Sequence, residues 1–173
     1  MTKLLLLTLL LPVMTLAACS EKVSIEDDNE AIGEEAIRMI MPQDGKAVHP
    51  EFGVEEWFAF GPMSGVEDTP ANGVAQAYVF ENGSYALTMQ LNIAPAEDGM
   101  FYEAWLTSED SGAPISAGHL NNFFGDARHQ FKFESEVNHS SLLQVRVTLE
   151  ADDGDYLPSE DLVAQGVLRP TRR

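Results

Sequence analysis

The chain has 173 residues, a formal net charge of −18 and a single cysteine. That length supports one domain with a real interior but hardly two, and the lone thiol excludes an intramolecular disulfide. The negative charge repels nucleic acid and anionic lipid surfaces alike; acidic surface is most often a solubility device, so by itself it names no ligand.

Residues 1–18 carry one cation, Lys3, then an unbroken apolar run from Leu4 to Leu7 that resumes at Leu9, and end in Ala17-Ala18. This is the layout of an export signal. Its apolar stretch of about 14 residues is shorter than the roughly 20 a permanent spanning helix needs, so the segment is expected to be removed. Removal leaves 155 residues with a net charge of −19. The junction Leu16-Ala17-Ala18-Cys19 resembles the lipobox of bacterial prolipoproteins. The resemblance implies that the Cys19 thiol takes a diacylglycerol and becomes the first residue of the mature protein. Two or three acyl chains, at roughly 0.8 kcal/mol per buried methylene, hold a protein on a bilayer that one chain would let it leave. The implied partner is therefore the membrane, reached through Cys19, and the implied location is the cell envelope. Ser20 is not the aspartate that keeps many Gram-negative lipoproteins in the inner membrane, which favours the outer membrane where the cell has one.

Residues 19–42 are read as an acidic tether. Seven carboxylates between Glu21 and Glu35, with few large apolar residues among them, cannot bury enough surface to order the segment. Ile32, Ala36, Ile37 and Ile40 have helical spacing, but Gly33 and Pro42 restrict any helix to a short one. Residues 43–73 form a Gly/Pro-rich entry segment around one apolar island, Trp57-Phe58-Ala59-Phe60, readable as an entering strand.

From Val74 the period changes to two. Val74 to Phe80 and Tyr85 to Ile93 flank Glu81-Asn82-Gly83-Ser84, and Asn-Gly predicts a two-residue hairpin loop. That loop would pair Phe80 with Tyr85, Tyr78 with Leu87 and Val74 with Leu91, placing Tyr78 and Phe80 on the core face. Phe101 to Thr107 has apolar residues of both parities and reads as a central strand, with Trp105 as the large aromatic between two sheets. Short strands follow at Ile115 to Leu120 and His129 to Glu134. Leu143 to Glu150 alternates cleanly, with one face on a core and the other solvated, and Leu162 to Leu168 is the final strand. The expected fold is all-β: an immunoglobulin-like antiparallel β-sandwich of about seven strands over 74–169, with a closed barrel as runner-up and a basic tail at 170–173.

Phe101-Tyr102-Glu103-Ala104-Trp105-Leu106 followed by Ala113-Pro114-Ile115-Ser116-Ala117-Gly118, and later Val145-Arg146-Val147-Thr148-Leu149-Glu150 with Asp153-Gly154, Pro158 and Gly166, are similar to the two signature stretches of the extracytoplasmic, C-terminal domain of anti-sigma-K factors. The resemblance covers about Val74 to Leu168. It implies a β-sandwich displayed in the envelope for sensing, scaffolding or binding. Those factors carry a cytoplasmic sigma-binding region and a membrane helix ahead of the domain; a lipobox and tether stand there in this sequence, so sigma binding is not expected to carry over.

No nucleophile elbow is present, and Ser116 and His119, three apart on one strand, are expected to face opposite ways. No catalytic residue, enzyme activity or cofactor is therefore assigned; a hydrolase invisible to motifs is one alternative. His49, His119, His129 and His139 show no metal-ligand spacing. A second alternative is calcium held at the acidic turn by Asp152, Asp153 and Asp155, which lacks EF-hand spacing. Trp57, Phe58, Phe60, Phe123 and Phe124 are expected to cap the open ends of the sandwich. Should Phe123 and Phe124 face solvent beside Tyr102, a peptide or glycan groove is the better reading. The function expected is thus a lipid-anchored binding module for a protein or small-molecule ligand in the envelope.

Overall fold

A computed structural model describes residues 45–108, 113–154 and 157–172. The expected signal peptide, Cys19, the tether with its short helix, and Asp155 lie outside the described residues. Ten strands occur in chain order: β1 Val48–His49, β2 Gly53–Gly65, β3 Asn72–Phe80, β4 Tyr85–Asn92, β5 Met100–Thr107, β6 Ile115–His119, β7 Arg128–Ser135, β8 Gln144–Ala151, β9 Leu162–Val167 and β10 Arg169–Thr171. Every pairing is antiparallel.

The all-β sandwich is borne out, with ten strands rather than about seven and with its two layers continuous. Hydrogen bonds run along the order β6-β5-β8-β9-β2-β3-β4-β7. The layers join at β2, whose 13 residues pair with β3 along most of their length and with β9 only at Met63 to Gly65. At the opposite edge, Asn121 and Gln130 exchange both backbone hydrogen bonds and nearly close the sheet into a barrel. The island at Trp57 to Phe60 is thus part of the longest strand, because Gly61, Pro62 and Gly65 extend it rather than end it.

Between the layers lies the main core. Tyr85, Leu87, Met89 and Leu91 from β4 meet Ala104, Leu106, Val145, Val147 and Ala164 from the other layer. The β4 and β8 residues alternate in sequence as a half-buried strand requires.

One expected register is corrected. Val79 pairs with Tyr85, Ala77 with Leu87 and Gly73 with Leu91, one residue away from the two-residue-loop alignment. The Phe80 carbonyl accepts from Gly83 N–H at 2.8 Å, and Phe80 N–H donates to the Ser84 carbonyl at 2.9 Å. The loop therefore has three residues, ending in Gly83 at φ +85°. Asn82 is not left-handed as a two-residue type I′ turn requires; its side-chain oxygen accepts instead from Ser84 N–H at 2.9 Å.

A slip of one residue exchanges faces. The small Ala75, Ala77 and Val79 enter the main core, where large β4 side chains need the room. Tyr78 and Phe80 form a second cluster with Ala47, Phe58 and Ala86 on the outer face. The turn after β1 lays His49 over that cluster, stacked on Phe52 at 4.1 Å. His49 Nδ1 accepts the Glu51 and Phe52 N–H groups, so its proton sits on Nε2, which donates to Glu134 at 2.9 Å.

Candidate functional site

Trp105 does not fill the space between the layers. Tyr102, Ala104 and Leu106 point there, and alternation turns Trp105 to the outer face, where it is nonetheless buried. Its Nε1–H donates to Thr148 Oγ1 at 2.8 Å, across the β5–β8 pairing. Thr148 in turn donates to Glu150 Oε1. Ser159 N–H donates to the same carboxylate at 3.0 Å, and Ser159 Oγ to the Leu149 carbonyl at 2.8 Å. The segment leading into β9 thereby caps the outer face of β8. Thr148 and Glu150 are buried rather than solvated because each has its partners in place. Trp, Thr and Glu of the signature stretches thus form one hydrogen-bonded layer.

Ser116 and His119 do not face opposite ways. The β5–β6 register shifts between Ala104 and Trp105, where β6 carries one extra residue, and Gly118 takes φ +114°. Such a bulge inverts the parity of the residues beyond it. Ser116 Oγ donates to Glu103 Oε1, and His119 Nε2 lies 4.0 Å from Glu103 Oε2 while its ring stacks on Phe101 at 4.0 Å. The carboxylate stands between hydroxyl and imidazole, whereas acyl transfer requires the imidazole next to the hydroxyl. This order orients Glu103 and does not activate Ser116.

The other histidines lie apart. His129 Nδ1 donates to the Ala127 carbonyl at 3.1 Å and its ring meets Tyr102 edge-on. His139 is bonded to Ser135 Oγ at 3.1 Å, lies edge-on to Tyr85, and is held by burial below the usual histidine pKa. Among the described residues no three His, Cys, Asp or Glu side chains converge as metal ligands. Asp152 and Asp153 of the acidic turn are exposed.

The five aromatics expected at the ends divide. Trp57 packs on the main core, Phe58 lies in the outer cluster, and Phe60 is exposed on the outer sheet face. Only Phe123 and Phe124 stand at an end, with 55 % and 61 % of their surface in solvent. Tyr102 is buried and donates to the Ala94 carbonyl at 2.9 Å, so it does not join them as an open groove wall.

The loop carrying these two rings is internally tied. Asp126 takes Arg128 bidentately, with Nε donating to Oδ1 at 3.1 Å and Nη2 to Oδ2 at 2.7 Å, and its Oδ1 accepts the Arg128 backbone N–H at 2.9 Å. The guanidinium holds the Asp126 carboxyl below its usual pKa and lies 4.3 Å from the centre of the Phe124 ring. Asn122 Nδ2 donates to the Asp126 carbonyl at 2.8 Å.

Strand directions alternate from β2 to β9, so loops 66–71, 93–99, 120–127 and 152–161 gather at one end of the molecule. Their described residues include nine carboxylates, from Glu67 to Asp161, and no lysine or arginine. Leu157 is exposed at this end too. No sequence motif announced the site; the clue was the adjacent pair Phe123-Phe124 between turn residues.

The family model described as anti-sigma-K factor rskA, C-terminal, matches residues 15–166. No curated protein and no solved structure matches the chain.

Proposed function

Because the chain belongs to the anti-sigma-K factor RskA C-terminal family, we propose that it is a binding module of the cell envelope, held there by lipid on Cys19, which captures a ligand and catalyses no reaction. The observation that carries this reading is the pair Phe123 and Phe124. Two adjacent phenylalanines turned to solvent on a loop already braced by Asp126, Arg128 and Asn122 offer apolar contact area at little further ordering cost. Their acidic surroundings favour a ligand with cationic as well as apolar groups, and a basic polypeptide segment has both. The contact of Arg128 with Phe124 is an intramolecular instance of the contact such a segment would make.

The leader, the lipobox and the acidic tether support export, anchoring and a domain held clear of the bilayer. In this reading the acylated cysteine supplies the membrane anchor.

A photoreactive phenylalanine placed at position 124 in intact cells tests the reading, with the same probe at Glu136, near the opposite end, as reference. A discrete adduct at 124 alone is expected. Adducts no different from those at 136 would refute it. Labelled palmitate should join the protein and be lost with Cys19→Ser.

A further inference from the structure

We propose that residues 26–41 fold back on the outer face of β2 and β3, with the apolar stripe of 31–41 over Phe58 and Phe60 and the carboxylates of 26–35 against Lys46, Arg169 and Arg172. This contact is separate from the Phe123-Phe124 loop and does not depend on it.

One end of that face is already covered. His49 and Phe52 lie against Phe80, and Ala47 shares the outer cluster with Phe58. Towards the other end, alternation along β2 and β3 puts Phe60, Pro62 and Val74 on the same side as Phe58 and Tyr78. The Phe60 ring stacks on Phe58 at 5.9 Å yet leaves 45 % of its surface in solvent, and Val74 leaves 37 %. Pro62 is exposed as well. An apolar strip therefore continues past the place where β1 ends.

The incoming chain is aimed at it. β1 runs antiparallel to β2, and the Ala47 carbonyl accepts from Glu55 N–H at 2.9 Å, so the residues ahead of Val48 head towards Phe58 and Phe60. They cannot extend the ladder, because β10 holds that edge of β2 from Phe58 to Phe60. Gly45, at φ +86°, gives the chain its turn off the edge. Reach is sufficient. Ala47 stands level with Glu55, and Phe60 lies about 16 Å further along β2, while the stretch from Ala47 back to Met41 spans up to about 20 Å.

Charge selects the same occupant. Arg169 is opposite Phe60 in the β2–β10 register, so the two side chains share a face, and Thr171 opposite Phe58 brings Arg172 to the neighbourhood of Lys46. All three cations are exposed, and no described carboxylate forms an ion pair with any of them. Residues 26–35 carry Glu26, Asp27, Asp28, Glu30, Glu34 and Glu35, and the one cation in 26–41 is Arg38. Ile32, Ala36, Ile37 and Ile40 follow at helical spacing with Glu34 and Glu35 off their stripe. Packing on Phe58 and Phe60 supplies the order that so short a segment lacks alone. Since the segment is joined to the surface it covers, its effective concentration there is on the order of millimolar, against which a lipid or a second chain must compete. Docking also shortens the free spacer between Cys19 and the domain.

Photoreactive phenylalanine in place of Phe60 reads the contact, in the full-length protein reconstituted in vesicles of phosphatidylethanolamine and phosphatidylglycerol. Mass spectrometry should place the adduct within residues 31–41 of the same chain, with no mixed adducts between isotope-labelled and unlabelled copies. Ile37→Asp should cut its yield about tenfold or more by removing the central apolar contact, and amide exchange in β4 and β8 should stay as in the parent. Arg169→Glu combined with Arg172→Glu should lower the yield too. Adducts to lipid would make the bilayer the occupant, and mixed adducts a second copy. Either result overturns the proposal, as does no adduct within 31–41 or one undiminished by Ile37→Asp.

Discussion

Trp105 Nε1 lies 2.8 Å from Thr148 Oγ1, which passes its own proton towards Glu150. The indole, the hydroxyl and the carboxylate are all buried on the outer face of the sheet, away from the main core. Thr148→Val keeps the shape and removes the middle of this chain. The indole then loses its acceptor and Glu150 one donor, at a cost of about 1–3 kcal/mol for each buried group left unpaired. Trp105→Phe and Thr148→Val should be non-additive in a double-mutant cycle by chemical denaturation. Additive losses would separate the two residues energetically.

Gly118 is the second point of sensitivity. A Cβ there would meet nothing nearer than Phe131 at 3.9 Å, so space is not the obstacle; φ of +114° is. Gly118→Ala should cost about 1–3 kcal/mol through backbone strain at a position essentially reserved for glycine. Relaxation of the bulge would also separate Ser116 from Glu103. Denaturation, together with the His119 ring shifts by NMR, checks both effects.

Tyr85 is fully buried, and its hydroxyl has no hydrogen-bond partner among the described residues. Burial raises its pKa well above 10, and that of Tyr102 also rises. In the unfolded chain Tyr85 ionises near pH 10, while the folded chain holds its proton. Stability is therefore complete below pH 10 and declines as pH rises further. Tyr85→Phe should be neutral or stabilising by about 1 kcal/mol at pH 7. It should also flatten the alkaline limb in melting curves taken between about pH 9 and 11.

His139 gives the acid counterpart. Burial lowers its pKa below 6.5 in the folded state. The unfolded chain then binds a proton first as pH falls, so stability present above pH 6.5 is lost on acidification through the folded pKa. Melting temperatures from pH 7.5 down to 5 should fall less in His139→Gln than in the parent; identical slopes would assign the acid limb to other groups.

Asp126→Asn should leave overall stability nearly unchanged, because the Asp126–Arg128 pair is solvent-exposed. It should release the loop. Faster amide exchange at Phe123 and Phe124, with the melting temperature held, is the expected signature.

Much of the architecture was readable along the chain, since the alternation of Leu143 to Glu150 and of His129 to Glu134 places Val145, Val147 and Phe131 in the core where they are found. The signature around Trp105 and Thr148 was readable as well. Its role was not, because a strand with apolar residues of both parities does not show which side meets the second layer. The hairpin failed for a local reason. Asn82 chose a side-chain hydrogen bond to Ser84 over a left-handed backbone, and one added loop residue exchanged the faces of Tyr78 and Phe80 for those of Ala77 and Val79.

Period-two alternation and turn residues are local properties that each segment carries alone, and they suffice to specify an antiparallel β protein of this family. The packing of the layers sets which parity faces inward, that Ser116 and His119 share Glu103, that Phe123 and Phe124 remain in solvent, and that Asn121 and Gln130 link the two ends of the sheet. Those outcomes depend on a bulge, a turn and a covering loop, whose effects are felt by residues far away in the chain. A hydrogen bond from Trp105 to Thr148 spans 43 positions, and no local pattern records it.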